Sequence, residues 1–152
     1  MRNFDYIKDL GFDNLYRFCA SAEENQVSNP DICAINARRA LEYLVREIYK
    51  MKGVVISERT SLFELIIGEP FTTFINDERM MMAVHYVRKT GNYAAHREFV
   101  NKRESFFTLL NLYNIVGSVL HKLQIVSEVR PFNKDLIPNQ IQRTVMVPTD
   151  VT

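Results

Sequence analysis

The fold is decided by residues 29–53, which read NPDICAINARRALEYLVREIYKMKG. Asn29 is suited to the helix N-cap, Pro30 to the first helical position, and Gly53 to the left-handed conformation that ends many helices. Between these signals, apolar residues recur every three or four positions: Leu41, Leu44, Val45, Ile48 and Tyr49. The sequence therefore predicts a helix over about residues 30–52 with one buried face. The charged residues are predicted to lie on its outer face: Arg38, Arg39, Glu42, Arg46 and Glu47.

Capping signals predict two further helices downstream. Ser61 with Glu64, and Asn101 with Glu104, match the capping box, in which each residue of the pair caps the backbone beside the other. The first box opens a short helix that Gly68 and Pro70 are expected to end. The second opens a long helix to about residue 126.

Apolar spacing indicates two more helices, over about residues 13–26 and 77–89, the second of them ended by Gly91. Gly117 interrupts the apolar face of the last helix, and close approach by a neighbouring helix would explain it. The predicted fold is all-α: an antiparallel bundle of four to five main helices formed by residues 1–127.

The chain changes character at residue 128. Three of the five prolines lie in the last 25 residues, and residues 141–147 alternate partly in the manner of a strand. The segment is nevertheless too apolar for a free tail. We expect residues 128–152 to form an extended tail or linker that packs on the bundle, on a partner or on a following domain.

Composition limits the classes of function. The chain has 152 residues, 47% apolar and 24% charged, which suits one domain, and its net charge of +1 argues against coating nucleic acid by bulk electrostatics. Cys19 and Cys33 are interpreted as core thiols in a reducing compartment. No apolar run reaches the ~20 residues needed to span a bilayer, and no signal core is present, so a cytoplasmic protein without a membrane segment is predicted. Motifs for a phosphate-binding loop, a nucleophile or a metal site are missing, so no cofactor and no metal are predicted.

The candidate site lies between residues 88 and 103, a stretch that contains five cationic residues and one anionic residue. Its predicted nucleic-acid or partner-binding residues are Arg88, Lys89, Asn92, His96, Arg97, Lys102 and Arg103. Ala94 and Ala95 leave room for close approach of a backbone or a substrate.

Two interpretations of this site stay open. Asn92 is suited to an N-cap and stands four residues before His96, which could exchange protons near neutral pH while Arg88 or Arg97 holds a phosphate. That trio, His96, Arg88 and Asn92, is the catalytic set if the chain is active. A structural role is equally consistent with the residue types: His96 would bond a helix end, and Arg88 would pair with a glutamate of the second helix.

Several segments together resemble a helical domain of unknown function found at the N-terminus of the restriction (R) subunits of type I restriction–modification enzymes. They are residues 3–6, Asn29-Pro30-Asp31, residues 37–42 (ARRALE), residues 62–65 (LFEL) and residues 88–96 (RKTGNYAAH). That domain belongs among the HEPN-like helical bundles (higher eukaryotes and prokaryotes nucleotide-binding). The resemblance covers about residues 3–126.

The resemblance implies an accessory role. Active HEPN ribonucleases carry an arginine, a polar residue and, after a few positions, a histidine; aligning Asn92 and His96 with the last two puts Gly91 where the arginine belongs. The implied function is therefore non-catalytic: contact with nucleic acid or with other domains and subunits of a restriction complex. The implied parent protein is an ATP-dependent restriction endonuclease and helicase whose other domains follow Thr152.

Two alternatives remain at this point. One is a metal-independent HEPN-type ribonuclease that acts as a homodimer. The other is a homodimeric scaffold or toxin-neutralising module without nucleic-acid contact. A gene that continues into helicase motifs, RNA cleavage that depends on His96, and salt-dependent DNA binding that depends on Lys102 and Arg103 separate the three hypotheses.

Overall fold

The computed structural model describes residues 1–96 and 98–139, and every regular element within that part is helical. The four long helices are α1 (Asp13–Asn25), α2 (Pro30–Met51), α5 (Glu78–Ala95) and α6 (Lys102–Lys122). Two short helices lie between them, α3 (Leu62–Ile67) and α4 (Glu69–Ile75), and single 3-10 helices span Asn3–Ile7 and Lys134–Leu136. The all-α class predicted from the sequence is thus confirmed for the described residues.

Helix α2 is the centre of the structure, because it packs against α1, α5 and α6. Its predicted apolar face is buried, from Ala37 and Leu41 to Ile48 and Tyr49. Each large apolar side chain removed from water in this way contributes about 1.5–3 kcal/mol. The helix ends close to the predicted position, and Gly53 takes the left-handed conformation with φ of 72°.

Gly91 does not end a helix, which corrects the sequence prediction. Helix α5 continues through it to Ala95. A Cβ atom at Gly91 would lie 2.5 Å from the Cβ of Arg38 and 2.9 Å from the carbonyl oxygen of Ala34. The glycine is therefore required by the close approach of α5 to α2 and not by a turn.

The segment around Pro70 also differs from prediction. Gly68 ends α3 as expected, but Pro70 lies in the first turn of α4, where its missing N–H costs no helical hydrogen bond. That helix then ends at Asn76, which is left-handed with φ of 46°. Pro70 thus lies at the start of α4, whereas the sequence predicts that it ends α3.

Helix α6 is shorter than predicted. It ends at Lys122, before the left-handed Gln124, instead of continuing to about Val126. A Cβ atom at Gly117 would lie 3.3 Å from Cγ1 of Val129. The element that approaches Gly117 is therefore the returning chain and not a helix. Both capping boxes, at Ser61 and Asn101, are formed as predicted.

The described part of the C-terminal segment packs on the bundle. Val129, Phe132 and Ile137 are partly buried against the core, and the hydroxyl of Tyr113 donates to the carbonyl oxygen of Arg130 at 2.6 Å. The sequence left open whether this segment packs on the bundle, on a partner or on a following domain. Residues 128–139 pack on the bundle. Residues 140–152, including the strand-like pattern at 141–147, lie outside the described residues.

A buried carboxylate fastens the N-terminal segment to α1. Glu23 is fully buried, and its two oxygens accept hydrogen bonds from the backbone N–H groups of Asn3 and Phe4 and from the side-chain amide of Asn3. Asn3 in turn exchanges hydrogen bonds with the backbone of Asn133. Glu23 thus stabilises the contact between residues 3–7, α1 and the returning chain.

Cys19 and Cys33 are free and buried, as predicted for core thiols. Burial raises the pKa of both thiols, which keeps them protonated at neutral pH. Among the helices of residues 1–96 and 98–139, none has both the length and the apolar content needed to cross a membrane.

Candidate functional site

The site is organised by the close contact between α2 and α5. Because Gly91 has no side chain, the stem of Arg38 lies directly on the α5 backbone: an ideal Cβ at Gly91 would be 3.0 Å from the Cδ of Arg38. The guanidinium then reaches the next residue of α5, and its Nη1 donates to Oδ1 of Asn92 at 2.5 Å. A charged donor is in this way bound to a neutral amide and not to a carboxylate.

Arg88 lies one helical turn before Asn92 and lacks a carboxylate partner among the described residues. Its guanidinium lies over the ring of Phe63, 4.9 Å from the ring centroid, which is a cation–π contact. Its Nη2 is 3.5 Å from Nδ1 of His85. Its Nε is buried and has no hydrogen-bond partner within the part of the chain that the structure describes.

Arg46 has the opposite character, because its donors are all engaged. Nε donates to Glu42 at 3.0 Å, Nη2 to the carbonyl oxygen of Thr60 at 2.8 Å, and Nη1 to that of Ser57 at 3.4 Å. These contacts fasten the loop between α2 and α3 to α2. Arg46 is therefore a positioning residue that holds one wall of the site.

These groups line a cavity of about 320 Å³, which we call the arginine cleft. Its lining residues are Arg38, Glu42, Arg46, Glu58, Thr60, Ser61, Leu62, Phe63, Arg88 and Asn92. Three guanidiniums face two carboxylates, and Glu42 is already bound by Arg46. The net field of the cleft is positive, and its free donors are N–H groups of Arg38 and Arg88.

His85 adjoins the cleft beside Arg88. Its ring centroid is 6.3 Å from that of Phe63. Burial and, after it, the charges of Arg88 and Lys89 lower the pKa of His85 below its usual value. At neutral pH this imidazole is accordingly neutral and does not add to the positive charge of the site.

The residues predicted from sequence are divided between separate places. Arg88 and Asn92 line the arginine cleft. Lys89 and His96 are exposed and line neither this cleft nor the cavity that holds Lys102 and Arg103. Arg97 lies outside the described residues.

The predicted N-cap role of Asn92 is corrected. Asn92 lies inside α5, so it is not an N-cap, and its side chain accepts from Arg38. His96 is the C-cap of the same helix, and its backbone N–H donates to the carbonyl oxygen of Asn92 at 3.0 Å. The pairing of Arg88 with a glutamate of α2, one of the structural alternatives, is not formed among the described residues.

Sequence reasoning missed Arg38, which it placed on the solvent face. A usable signal exists: Arg38, Glu42 and Arg46 are spaced by four, so they form one row along α2. Ala34 and Ala37 beside the first of them are small, as close helix packing requires. Phe63 has no comparable signal, because half-exposed aromatic residues in short helices are common.

The described residues hold no group of three or more His, Cys, Asp or Glu side chains placed to bind a metal ion. The arginines of the cleft offer N–H donors, and these suit an anion with several acceptor oxygens. Comparisons with protein-family models, with curated proteins and with solved structures gave no match to this chain.

Proposed function

We propose that the chain is a non-catalytic helical accessory domain that binds nucleic acid through the arginine cleft. The resemblance of residues 29–31, 37–42 and 88–96 to the N-terminal domain of type I restriction R subunits supports a place in a DNA-processing protein of that kind. In such a protein the domain holds the substrate while other domains act on it.

The supporting observation is the guanidinium of Arg88. Its buried Nε lacks an acceptor among the described residues, and leaving such a donor unpaired costs about 1–3 kcal/mol. A phosphate group can accept two parallel N–H bonds from one guanidinium, and Arg38 offers further donors in the same cleft. A ligand phosphate can thus accept from the outer N–H groups of both arginines, whereas the buried Nε of Arg88 is reached only when its side chain shifts.

Phe63 adds a second feature of nucleic-acid sites. Its side chain is 46% exposed although it lines the cleft beside Arg88. Aromatic faces next to arginines stack on unpaired bases, each worth about 1–3 kcal/mol. The cleft therefore favours single-stranded nucleic acid over an undistorted duplex.

The number of arginines that contact phosphate in the arginine cleft sets the expected salt dependence. With Arg38 and Arg88 as the contacts, about two phosphates are neutralised, so log K should fall with log[salt] with a slope of about −1.4 for a single strand. Binding of this kind is weak and is measured best at low ionic strength. The net charge of +1 agrees with a local contact and not with coating.

The test is fluorescence anisotropy with labelled 20-nucleotide single-stranded DNA and RNA at 50 mM salt. Arg88→Gln should weaken binding at least tenfold and bring the salt slope closer to zero by about 0.7, the share of one single-strand phosphate contact. The matched control is Arg79→Gln: Arg79 is exposed on the same helix, nine residues earlier and hence about half a turn round the axis. Equal weakening in both variants would refute the assignment of the cleft.

The rival function is metal-independent RNA cleavage. The neutral His85 beside Arg88 gives it some support, since a base next to a phosphate clamp is the required pairing. Under the proposed function, RNA incubated with the chain and a metal chelator stays intact. Cleavage that disappears in His96→Ala or His85→Ala would contradict the non-catalytic proposal and support the ribonuclease instead.

A further inference from the structure

A second cavity lies where the first turns of α2 and α6 meet. It measures about 780 Å³ and is lined by residues 27–32 and 99–103. We call it the apolar notch. It shares no lining residue with the arginine cleft, and the proposed function makes no use of it.

The notch displays large apolar side chains to solvent. Phe99 is 82% exposed and Ile32 is 43% exposed. Beneath them Val100 is buried against Ala34 and Ala94. Burying a phenylalanine that is now in water would contribute about 1.5–3 kcal/mol, so this surface favours an apolar occupant.

Hydrogen bonds link the two segments that form the walls of the notch. The N–H of Val100 donates to Asp31 at 3.3 Å. The buried side-chain amide of Gln26 donates to the carbonyl oxygen of Lys102 at 2.9 Å and to the hydroxyl of Ser105 at 3.0 Å, and that hydroxyl donates to the carbonyl oxygen of Gln26. A preformed cavity loses less entropy on binding than a flexible loop does.

The rim of the notch is positively charged. Lys102 and Arg103 are exposed and form no ion pair within the described residues; Arg103 instead lies 5.8 Å from the ring of Phe107. Both occupy the first turn of α6, where the helix dipole disfavours cations. Asp31, the acidic residue in the lining, already accepts from Val100. The lining thus carries two cations against the one carboxylate of Asp31, and this net positive rim is complementary to acidic groups.

We propose that the apolar notch is a docking site for a segment of a partner protein that carries a bulky apolar side chain flanked by acidic residues. The apolar side chain enters between Phe99 and Ile32, and the acidic residues face Lys102 and Arg103. A volume of about 780 Å³ falls within the ~300–1,000 Å³ of sites that enclose drug-sized ligands, which is ample for one or two large side chains. Nucleic acid fits less well, because an apolar floor offers no donors to a phosphodiester backbone.

The test starts from an unbiased probe. A displayed library of random twelve-residue peptides is selected on the full chain and counter-selected on the Phe99→Ser variant. We expect enrichment of peptides that combine Asp or Glu with Leu, Phe or Trp. Enrichment of basic peptides, or of none, would overturn the proposal.

Affinities of the selected peptides then locate the site. By anisotropy, Phe99→Ser and the double variant Lys102→Glu, Arg103→Glu should each weaken binding at least tenfold, whereas Phe63→Ser and Lys134→Glu should leave it unchanged. The controls make the same chemical changes at exposed positions outside the notch. Circular dichroism confirms that each variant is folded, and equal losses in tests and controls would contradict the assignment.

Two further outcomes would replace the proposed occupant. Single-stranded DNA whose binding depends on Phe99 and not on Arg88 would make the notch a nucleic-acid site. Self-association in sedimentation velocity that Phe99→Ser abolishes would make the occupant a second copy of this chain. The self-association outcome leaves the arginine cleft untouched, whereas the DNA outcome would also refute the cleft, because binding there must depend on Arg88. Failure of the peptide test alone bears only on the notch.

Discussion

Glu23 and Arg88 are both charged residues drawn into the protein, but their surroundings differ. Both oxygens of Glu23 accept N–H groups of the protein, whereas Arg88 keeps a buried Nε without an acceptor among the described residues. Satisfied buried charges fix a fold, and leaving one partner unpaired is costly. The contrast supports the proposal that Glu23 serves stability and that Arg88 serves ligand binding.

Hydroxyl groups provide a useful reference for this contrast. Tyr6 and Thr108 also bury an oxygen without a hydrogen-bond partner among the described residues, yet neither lines the arginine cleft or the apolar notch. Neutral hydroxyls cost less than a charged group when they are left unpaired. What distinguishes Arg88 is the combination of charge, an unpaired donor and a cavity.

The largest effect is expected at Glu23. Glu23→Gln leaves one oxygen where two now accept, and its amide N–H groups would face the N–H of Asn3 or Phe4. The free energy of unfolding should fall by about 3 kcal/mol, as measured by urea denaturation. Glu24→Gln is the control: this neighbouring residue is exposed, and its change should stay within about 0.5 kcal/mol. Similar losses for both variants would contradict the structural role of Glu23.

Gly91→Ala should have the next largest effect, and it should lower both the stability and the nucleic-acid affinity. The new methyl group would collide with Arg38 and with the backbone of Ala34 at 2.9 Å, so α2 and α5 must separate. We expect a loss of about 2 kcal/mol in stability, together with weaker binding of single-stranded DNA. At Gly117 the same change meets the side chain of Val129 at 3.3 Å or more, and the better helix propensity of alanine offsets the contact. A Gly91→Ala variant as stable as Gly117→Ala would show that the helices are not in close contact.

A smaller change in stability is expected for Arg88→Gln. The variant loses the contact with Phe63 but also removes the unpaired Nε donor, so the two terms partly cancel. The free energy of unfolding should change by less than about 1 kcal/mol while nucleic-acid affinity falls. Thermal and urea denaturation measure the first quantity. A loss as large as that of Glu23→Gln would erase the distinction between the two regions.

The smallest effect concerns pH. The folded-state pKa of His85 is lowered, so the unfolded chain binds the proton more readily, and stability falls as pH drops through about 6.5 towards the folded pKa. His85→Gln should flatten this part of the stability profile. In Arg88→Gln, an NMR titration of His85 should show its pKa moved partly upward, because one of the repelling charges is gone. No movement would mean that Arg88 does not contribute and that burial and Lys89 set the pKa of His85.

The sequence was sufficient for the fold class and for the capping boxes at Ser61 and Asn101, because those depend on local patterns. Gly53 and Gly91 show where this ends. Both follow an amphipathic helical segment, and a glycine there favours a helix end; only the approach of Arg38, 53 residues earlier, makes Gly91 a packing residue. Long-range contacts of that kind leave no mark on the local pattern.

The candidate site was predicted in part for the same reason. Arg88 and Asn92 were identified from residue type and spacing, and they do line one cavity. Their partner Arg38 was missed because helical periodicity alone places it at the edge of the solvent face, where packing decides its exposure. The spacing of four residues predicts that His96 lies on the same helical face as Asn92. Helix α5 ends at Ala95, however, and His96 is exposed.

The bare backbone at Gly91 makes the surface site dependent on the interior. The stem of Arg38 rests on that backbone, so the height of its guanidinium above α5 is fixed by the spacing between two helices. Any substitution that widens this spacing, even one fully shielded from solvent, would lift the arginine away from Asn92 and change the affinity of the cleft. Under the proposed function, residues such as Ala34 therefore influence ligand recognition although they lie outside the cleft, and a substitution in the core would change the affinity without altering a single charge.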